Sequence, residues 1–142
     1  MSKPVVKINR AKWRFGGVGV DENLRDIFGD TCLCNKKGYK CCLGFASLQL
    51  IPSLKNDDIL NYCFPCSIKL PLPVSKYKHA NLLIVDENID PDWVATAIAY
   101  NDDSSYSLEE REKRLTDLFD QNGITLQFEG DYTKKQLKAL QA

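Results

Sequence analysis

The residues best suited to chemistry in this 142-residue chain are its cysteines. Four of the six fall in two short pairs, Cys32-x-Cys34 and Cys63-x-x-Cys66. Four thiolates around tetrahedral Zn²⁺ form a common structural site, and the second pair has knuckle-like spacing. The first pair is tighter than usual, and Phe64-Pro65 stands between the would-be ligands of the second. The competing reading is a set of buried thiols. Cysteine behaves as a small buried hydrophobe, and a chain of this length can build a core without a metal staple. We prefer that reading, so no cofactor is expected and zinc stays the alternative. A redox role for Cys63 and Cys66 lacks the strand-to-helix setting such pairs use.

Two charged clusters offer other chemistry. Lys7, Arg10, Lys12 and Arg14 interleave with Trp13 and Phe15. A base can stack on an exposed aromatic flanked by cations, so Arg10, Lys12, Trp13 and Arg14 are candidates for holding a small signalling nucleotide. The alternative is a core tryptophan framed by solvated cations, and nucleic acid is not expected as a partner. Asp102 and Asp103, with Glu109 and Glu110, form an acidic group around Asn101. Clustered carboxylates can hold Mg²⁺ or Ca²⁺, but the spacing fits no calcium loop. These four are read instead as a partner-binding loop between two capped helices. The single histidine, His79, sits among Lys76 and Lys78 without a nucleophile motif. The chain is therefore not read as an enzyme.

Charge is balanced overall but unevenly placed. Residues 1–80 hold thirteen Lys/Arg and six Asp/Glu, whereas residues 86–120 hold three and eleven. Such a dipole favours oriented encounter with a charged partner. No apolar run reaches the roughly 18 residues of a membrane span. The opening MSKPVVKINRAKW lacks the apolar core of a secretory leader. With six cysteines and no leader, a reducing, cytoplasmic setting is expected.

These side chains must be positioned by a few short elements. Val5–Ile8 is a β-branched run after Pro4, and Asn9 can cap a single turn beyond it. Asp21–Phe28 has helical spacing. Asn35-Lys36-Lys37-Gly38 reads as a hairpin loop between two short strands. Cys41–Leu50 is almost wholly apolar, so it is read as a helix buried on most sides. Gly44 within it lets another backbone approach. Pro65, Pro71 and Pro73 mark an extended, ordered loop whose apolar residues pack on the core. Leu82–Val85 is read as a strand. Asp90-Pro91 opens a helix whose apolar face is Trp93, Val94, Ala97 and Ile98. Asn101–Ser105 is read as a loop, and Ser107 with Glu110 as a capping box for the next helix. Leu108, Leu115, Leu118 and Phe119 form that helix's buried stripe, and Asn122-Gly123 ends it. Ile124–Phe128 alternates as a strand, to be paired with Val5–Ile8 or with the hairpin. Residues 130–142 hold a last, frayed helix.

Several of these signals together resemble a group of small, mostly uncharacterised phage and prophage proteins. The matching residues are Trp13, Cys41-Cys42-Leu43-Gly44-Phe45, Asn101-Asp102-Asp103, Arg111-Glu112-Lys113 and Gly123-Ile124. No assigned chemistry accompanies the likeness. It implies a cytosolic viral accessory protein acting on a host component. The reading as a whole is a single α+β domain over residues 1–142, with a small mixed or antiparallel sheet packed on three or four helices. Its function is read as binding and inhibition of a host protein, with a nucleotide sponge and a zinc-stabilised module as alternatives.

Overall fold

The structure, a computed structural model, describes residues 3–15, 33–35, 37–86, 88–103 and 105–140. Cys32 and the helix read over Asp21–Phe28 lie outside those residues. The α+β class is as expected. Strand β1 (Val5–Asn9) pairs with β2 (Thr125–Glu129), and between and after them lie helices α1 (Cys42–Leu50), α2 (Asp92–Asp102), α3 (Leu108–Gln121) and α4 (Lys134–Leu140). Five short 3₁₀ turns lie among the described residues, the rest being turns and irregular chain.

The sheet differs from the expectation in one respect. Its two strands run parallel, in the register Val6↔Leu126 and Ile8↔Phe128. A parallel pair needs a crossover of about a dozen residues or more, and these strands, at opposite ends of the described chain, are joined by a far longer one. Alternation puts Val6, Ile8 and Leu126 in the interior. The outer edge of β1 is covered by a side chain: Gln49 Oε1 accepts the Lys7 N–H at 2.7 Å, and its Nε2 donates to the Lys7 carbonyl at 2.7 Å. One amide thus stands in for a neighbouring strand.

Helix α1 sits at the centre, against β1 on one side and α2 on the other. Seven of its nine residues are buried, which explains the nearly unbroken apolar run. Gly44 lies directly against the carbonyl of Leu33, as the close approach requires. Trp13 and Phe15 are fully buried, with ring centroids 4.5 Å apart, and Phe128 lies 4.9 Å from Trp13 on the other side. Trp93 packs edge-on against Phe119 at 4.9 Å and joins α2 to α3.

Two local readings are corrected. The turn at Asn35–Gly38 exists, with Asn35 N donating to Tyr39 O at 2.9 Å, but its arms do not pair with each other as strands. They pair outward, Cys34 with Leu60 and Lys40 with Trp13. Leu82–Val85 is not a strand either. Residues Ala80–Leu82 form a 3₁₀ turn, and Leu83 and Ile84 are buried without a ladder. A short apolar run does not distinguish the two outcomes.

The C-terminal helix is fixed by a signal the sequence carries. Thr133 Oγ1 accepts the Gln136 N–H at 3.1 Å, and Gln136 Oε1 accepts the Thr133 N–H at 2.7 Å, a reciprocal capping box. Gln136 Nε2 also donates to the carbonyls of Arg10 and Trp13, so α4 is tied to the first turn of the chain.

Candidate functional site

The acidic group predicted as a loop is instead the junction of two helices. α2 continues through Asn101 and Asp102, so Asn101 is a buried helical residue. Its side chain makes every hydrogen bond it can. Oδ1 accepts Trp13 Nε1–H at 2.8 Å and Cys42 N–H at 3.1 Å. Nδ2 donates to the Arg14 carbonyl at 3.0 Å and to Asp102 Oδ1 at 2.9 Å. The first residue of α1 has no capping side chain of its own. Asn101 supplies that cap from another helix, meeting one of the orphan N–H groups every helix start presents.

Arg111 completes the junction from α3. It is buried; Nη1 donates to the Asn101 carbonyl at 2.8 Å and Nη2 to the Asp103 carbonyl. These are last-turn carbonyls of α2, where a cation also meets the negative end of the helix dipole. Its guanidinium stacks over Phe15 at 4.9 Å. Burial pulls its pKa down, against the pull of Asp102 and other groups. Beyond this frame the surface carries carboxylates. Asp103 accepts the Ser105 N–H at 2.8 Å and its Oγ–H at 2.6 Å, and those bonds hold its pKa below the usual carboxylate value. Ser107 caps α3 by accepting the Glu110 N–H at 3.1 Å. Glu109 and Glu110 are exposed in the first turn of α3, and Glu110 pairs with Arg114, whose guanidinium lies 4.6 Å over Tyr106. Asp102 is half-buried and Asp103 exposed.

The basic candidates are placed differently from a binding patch. Trp13 lies inside the core, so its ring presents no face to a base. Arg14 is buried as well. Lys12 lies 4.8 Å over the ring of Tyr39. Arg10 is engaged on every side: Nε and Nη2 form a fork to Glu112 at 2.9 and 2.7 Å, Nη1 donates to the Gly130 carbonyl at 2.9 Å, and the plane covers Phe128 and Tyr132. Tyr132 O–H donates to the same Glu112 carboxylate, and burial with that bond pushes the phenol pKa well up. The cluster is a clasp joining the end of β1 to α3 and to the segment after β2. Arg10→Lys keeps the charge but loses the fork. It should cost about 1–2 kcal/mol. A melting curve would show a loss of a few degrees.

Among the cysteines, Cys34 is buried, and the stretch carrying it runs beside residues 60–62 through Leu33 N→Tyr62 O at 2.7 Å and Asn61 N→Cys34 O at 2.9 Å. No group of three or more metal-binding side chains occurs among the described residues. Cys66 is half-buried; burial and the neighbouring Asp90 carboxylate push its thiol pKa up. Cys42, wholly buried, has its thiol pKa pushed well up by burial and by Cys41. Both environments favour the protonated thiol over the thiolate that nucleophilic attack requires. Iodoacetamide at about pH 8 should leave Cys42 unmodified in the folded protein and reach it only on unfolding. Site-resolved mass spectrometry reads this directly.

Asp90, read as the cap of α2, instead accepts the Cys66 N–H through Oδ1 at 2.8 Å. Pro91 occupies the position before α2. No known protein family, curated protein or solved structure matches this chain. No helix among the described residues is long and apolar enough to cross a membrane. The functional reading therefore rests on the geometry together with the sequence. The geometry brings Asp102, Asp103, Glu109 and Glu110 to one corner, and it places Trp13 and Arg14 in the core, Arg10 in the clasp and Lys12 on the surface over Tyr39. Arg111, the residue that builds the corner, was absent from the predicted stripe. Its signal was the gap in that stripe: position 111 falls between Leu108 and Leu115 at helical spacing.

Proposed function

We infer that the protein works by binding rather than turnover, as a phage-type accessory protein of the host cytoplasm that inhibits a host protein, with a defence factor as the target. The observation that carries this reading is the frame under the acidic corner. Arg111 holds the end of α2 through two backbone carbonyls, and Ser105 and Ser107 fix the connection to α3. Exposed carboxylates on a fixed frame lose little freedom on binding, which favours a basic partner surface. The uneven charge along the chain and the likeness to phage proteins support the same reading. The nucleotide-sponge alternative gains nothing from the geometry, since its stacking residue is interior.

The test is affinity capture from host lysate followed by mass spectrometry, with the variant Asp103→Lys/Glu109→Lys beside the parent. The parent should retain one saturable protein whose capture weakens as salt rises. The variant should bind it at least about tenfold more slowly, as reversal of steering charges does. A partner captured equally by both proteins would remove the corner from the interface.

A further inference from the structure

The proline-rich stretch was expected to pack on the core, and part of it does, through Ile68, Leu70 and Val74. Leu72 does not. It is 53% exposed, and Val85, from the segment before α2, is 59% exposed. Both line a groove of about 860 Å³. Residues 66–75 form one wall, and Ile84, Val85, Asp86 and Asn88 form the other. The deepest lining side chains are Ile68 and Ile84, which are buried. Small-molecule sites are concavities of roughly 300–1,000 Å³, lined mainly by apolar side chains with a few polar groups. This groove has that size and that lining.

Its walls are already in place. Cys66 ties them together: its carbonyl accepts the Asn88 N–H at 3.4 Å, and its N–H donates to Asp90 Oδ1 at 2.8 Å. Pro71 and Pro73 fix φ in the first wall. Leu72 N–H, between them, donates to Tyr77 Oη at 3.3 Å. A ligand therefore meets a site that loses little freedom on binding.

Charge narrows the class of ligand. The charged side chains of the described lining are Lys69 and Asp86, one on each wall. Asp86 is already engaged within the protein. Lys69 is exposed, and among the described residues its ammonium group makes no hydrogen bond or ion pair. The groove thus offers an apolar trough and one uncommitted cation. A polyphosphate would find a single cation here, and a sugar would gain nothing from Ile68 and Ile84. A cationic ligand would meet no uncommitted carboxylate among the described lining residues. A molecule with an apolar body and one anionic end satisfies both features, and a carboxylate forms charge-assisted hydrogen bonds with an ammonium group.

We propose that this groove binds a free fatty acid, with the chain over Ile68 and Ile84 between Leu72 and Val85, and the carboxylate on Lys69. The site is separate from the acidic corner on α2 and α3, so this inference and the partner capture succeed or fail independently.

Isothermal titration calorimetry of the full chain with sodium decanoate tests it. The parent should bind one decanoate per chain, saturably. Acetate has the head group without the chain, and decyltrimethylammonium has the chain with the opposite charge. Each should bind at least about tenfold more weakly. Leu72→Glu and Val85→Glu should keep the parent's melting temperature, because both positions are well exposed, and weaken decanoate at least about tenfold by setting a carboxylate beside the chain. Lys69→Glu should also keep the melting temperature and weaken decanoate at least about fivefold, since an attraction becomes a repulsion. Absence of saturable decanoate binding up to about 1 mM overturns the proposal. So does binding of acetate or decyltrimethylammonium as tight as that of decanoate, or decanoate binding indifferent to the three variants.

Discussion

Gly44→Ala should be the most damaging single change in this protein, lowering its stability by more than about 4 kcal/mol. In an ordinary exposed helix the same change adds about 1 kcal/mol of stability, through higher helix propensity and a less free unfolded chain. Here the sign reverses. A Cβ on residue 44 would sit 2.8 Å from the carbonyl carbon of Leu33 and closer still to its oxygen, distances that real Cβ atoms essentially never show. Both obstructing atoms belong to backbone, and Leu33 N is itself bonded to Tyr62 O at 2.7 Å, so the obstruction has no side chain to swing aside. Helix α1 would have to move away from the 33–34 segment and open the core around Leu33, Cys34 and Leu43. Overpacking by even one methyl in a dense interior costs about 1–3 kcal/mol, and a backbone clash belongs in the tail beyond about 4 kcal/mol. Domains of this kind have only about 5–15 kcal/mol to lose. Urea titration followed by circular dichroism measures it. Gly123→Ala is the control: its φ of +86° strains any side chain, but a Cβ there would meet only Leu82 at an ordinary 3.5 Å. It should cost about 1–2 kcal/mol and remain folded. Equal stability of Gly44→Ala and the parent would mean that the Leu33 segment does not lie against α1.

Asn101→Leu should be the second most damaging single change. Leucine matches the volume but leaves three buried groups without their partner: the indole N–H of Trp13, the N–H of Cys42 and the carbonyl of Arg14. Each orphaned buried group costs about 1–3 kcal/mol. The three are neighbours, so the expected total is about 3–5 kcal/mol rather than their sum. Trp13→Phe beside it separates the contributions. It removes the indole donor, so the double variant should lose less than the two singles added. Strict additivity would deny that Asn101 serves Trp13. Asn101→Asp keeps the acceptor for Trp13 and Cys42 but loses the donor to Arg14 and buries a charge next to Asp102. It should fall between the parent and the leucine variant at acidic pH, where the new carboxyl is protonated, and worsen as pH rises.

The contrast between these two residues shows what the sequence makes legible. Gly44 could be read because its setting is local: a glycine inside an unbroken apolar run asks for a neighbour that comes close. The same holds for the Asn9 turn, the Ser107 cap and the Gly123 helix end. Asn101 could not be read, because its partners lie 88 and 59 residues away in sequence, and the polar run Asn-Asp-Asp carries the signature of a loop. The hairpin shows the same division. Its turn chemistry is local and correct, while its arms choose Leu60 and Trp13 as partners, a tertiary outcome. Arg10, Trp13 and Arg14 looked like a surface stripe because cations are usually solvated. Carboxylate, aromatic and carbonyl partners drawn from the far end of the chain enclose Arg10 and Trp13 instead. The candidate acidic corner was visible as composition, but the buried arginine that fixes it was not.

The pairing of residues 5–9 with 125–129 has a consequence for how the protein comes into being. On the ribosome the first strand emerges more than a hundred residues before its partner, residues 125–129. Trp13 must wait equally long for Phe128, Tyr132 and Gln136 to enclose it. Until that late closure the nascent chain presents an indole and a bare strand edge to chaperones.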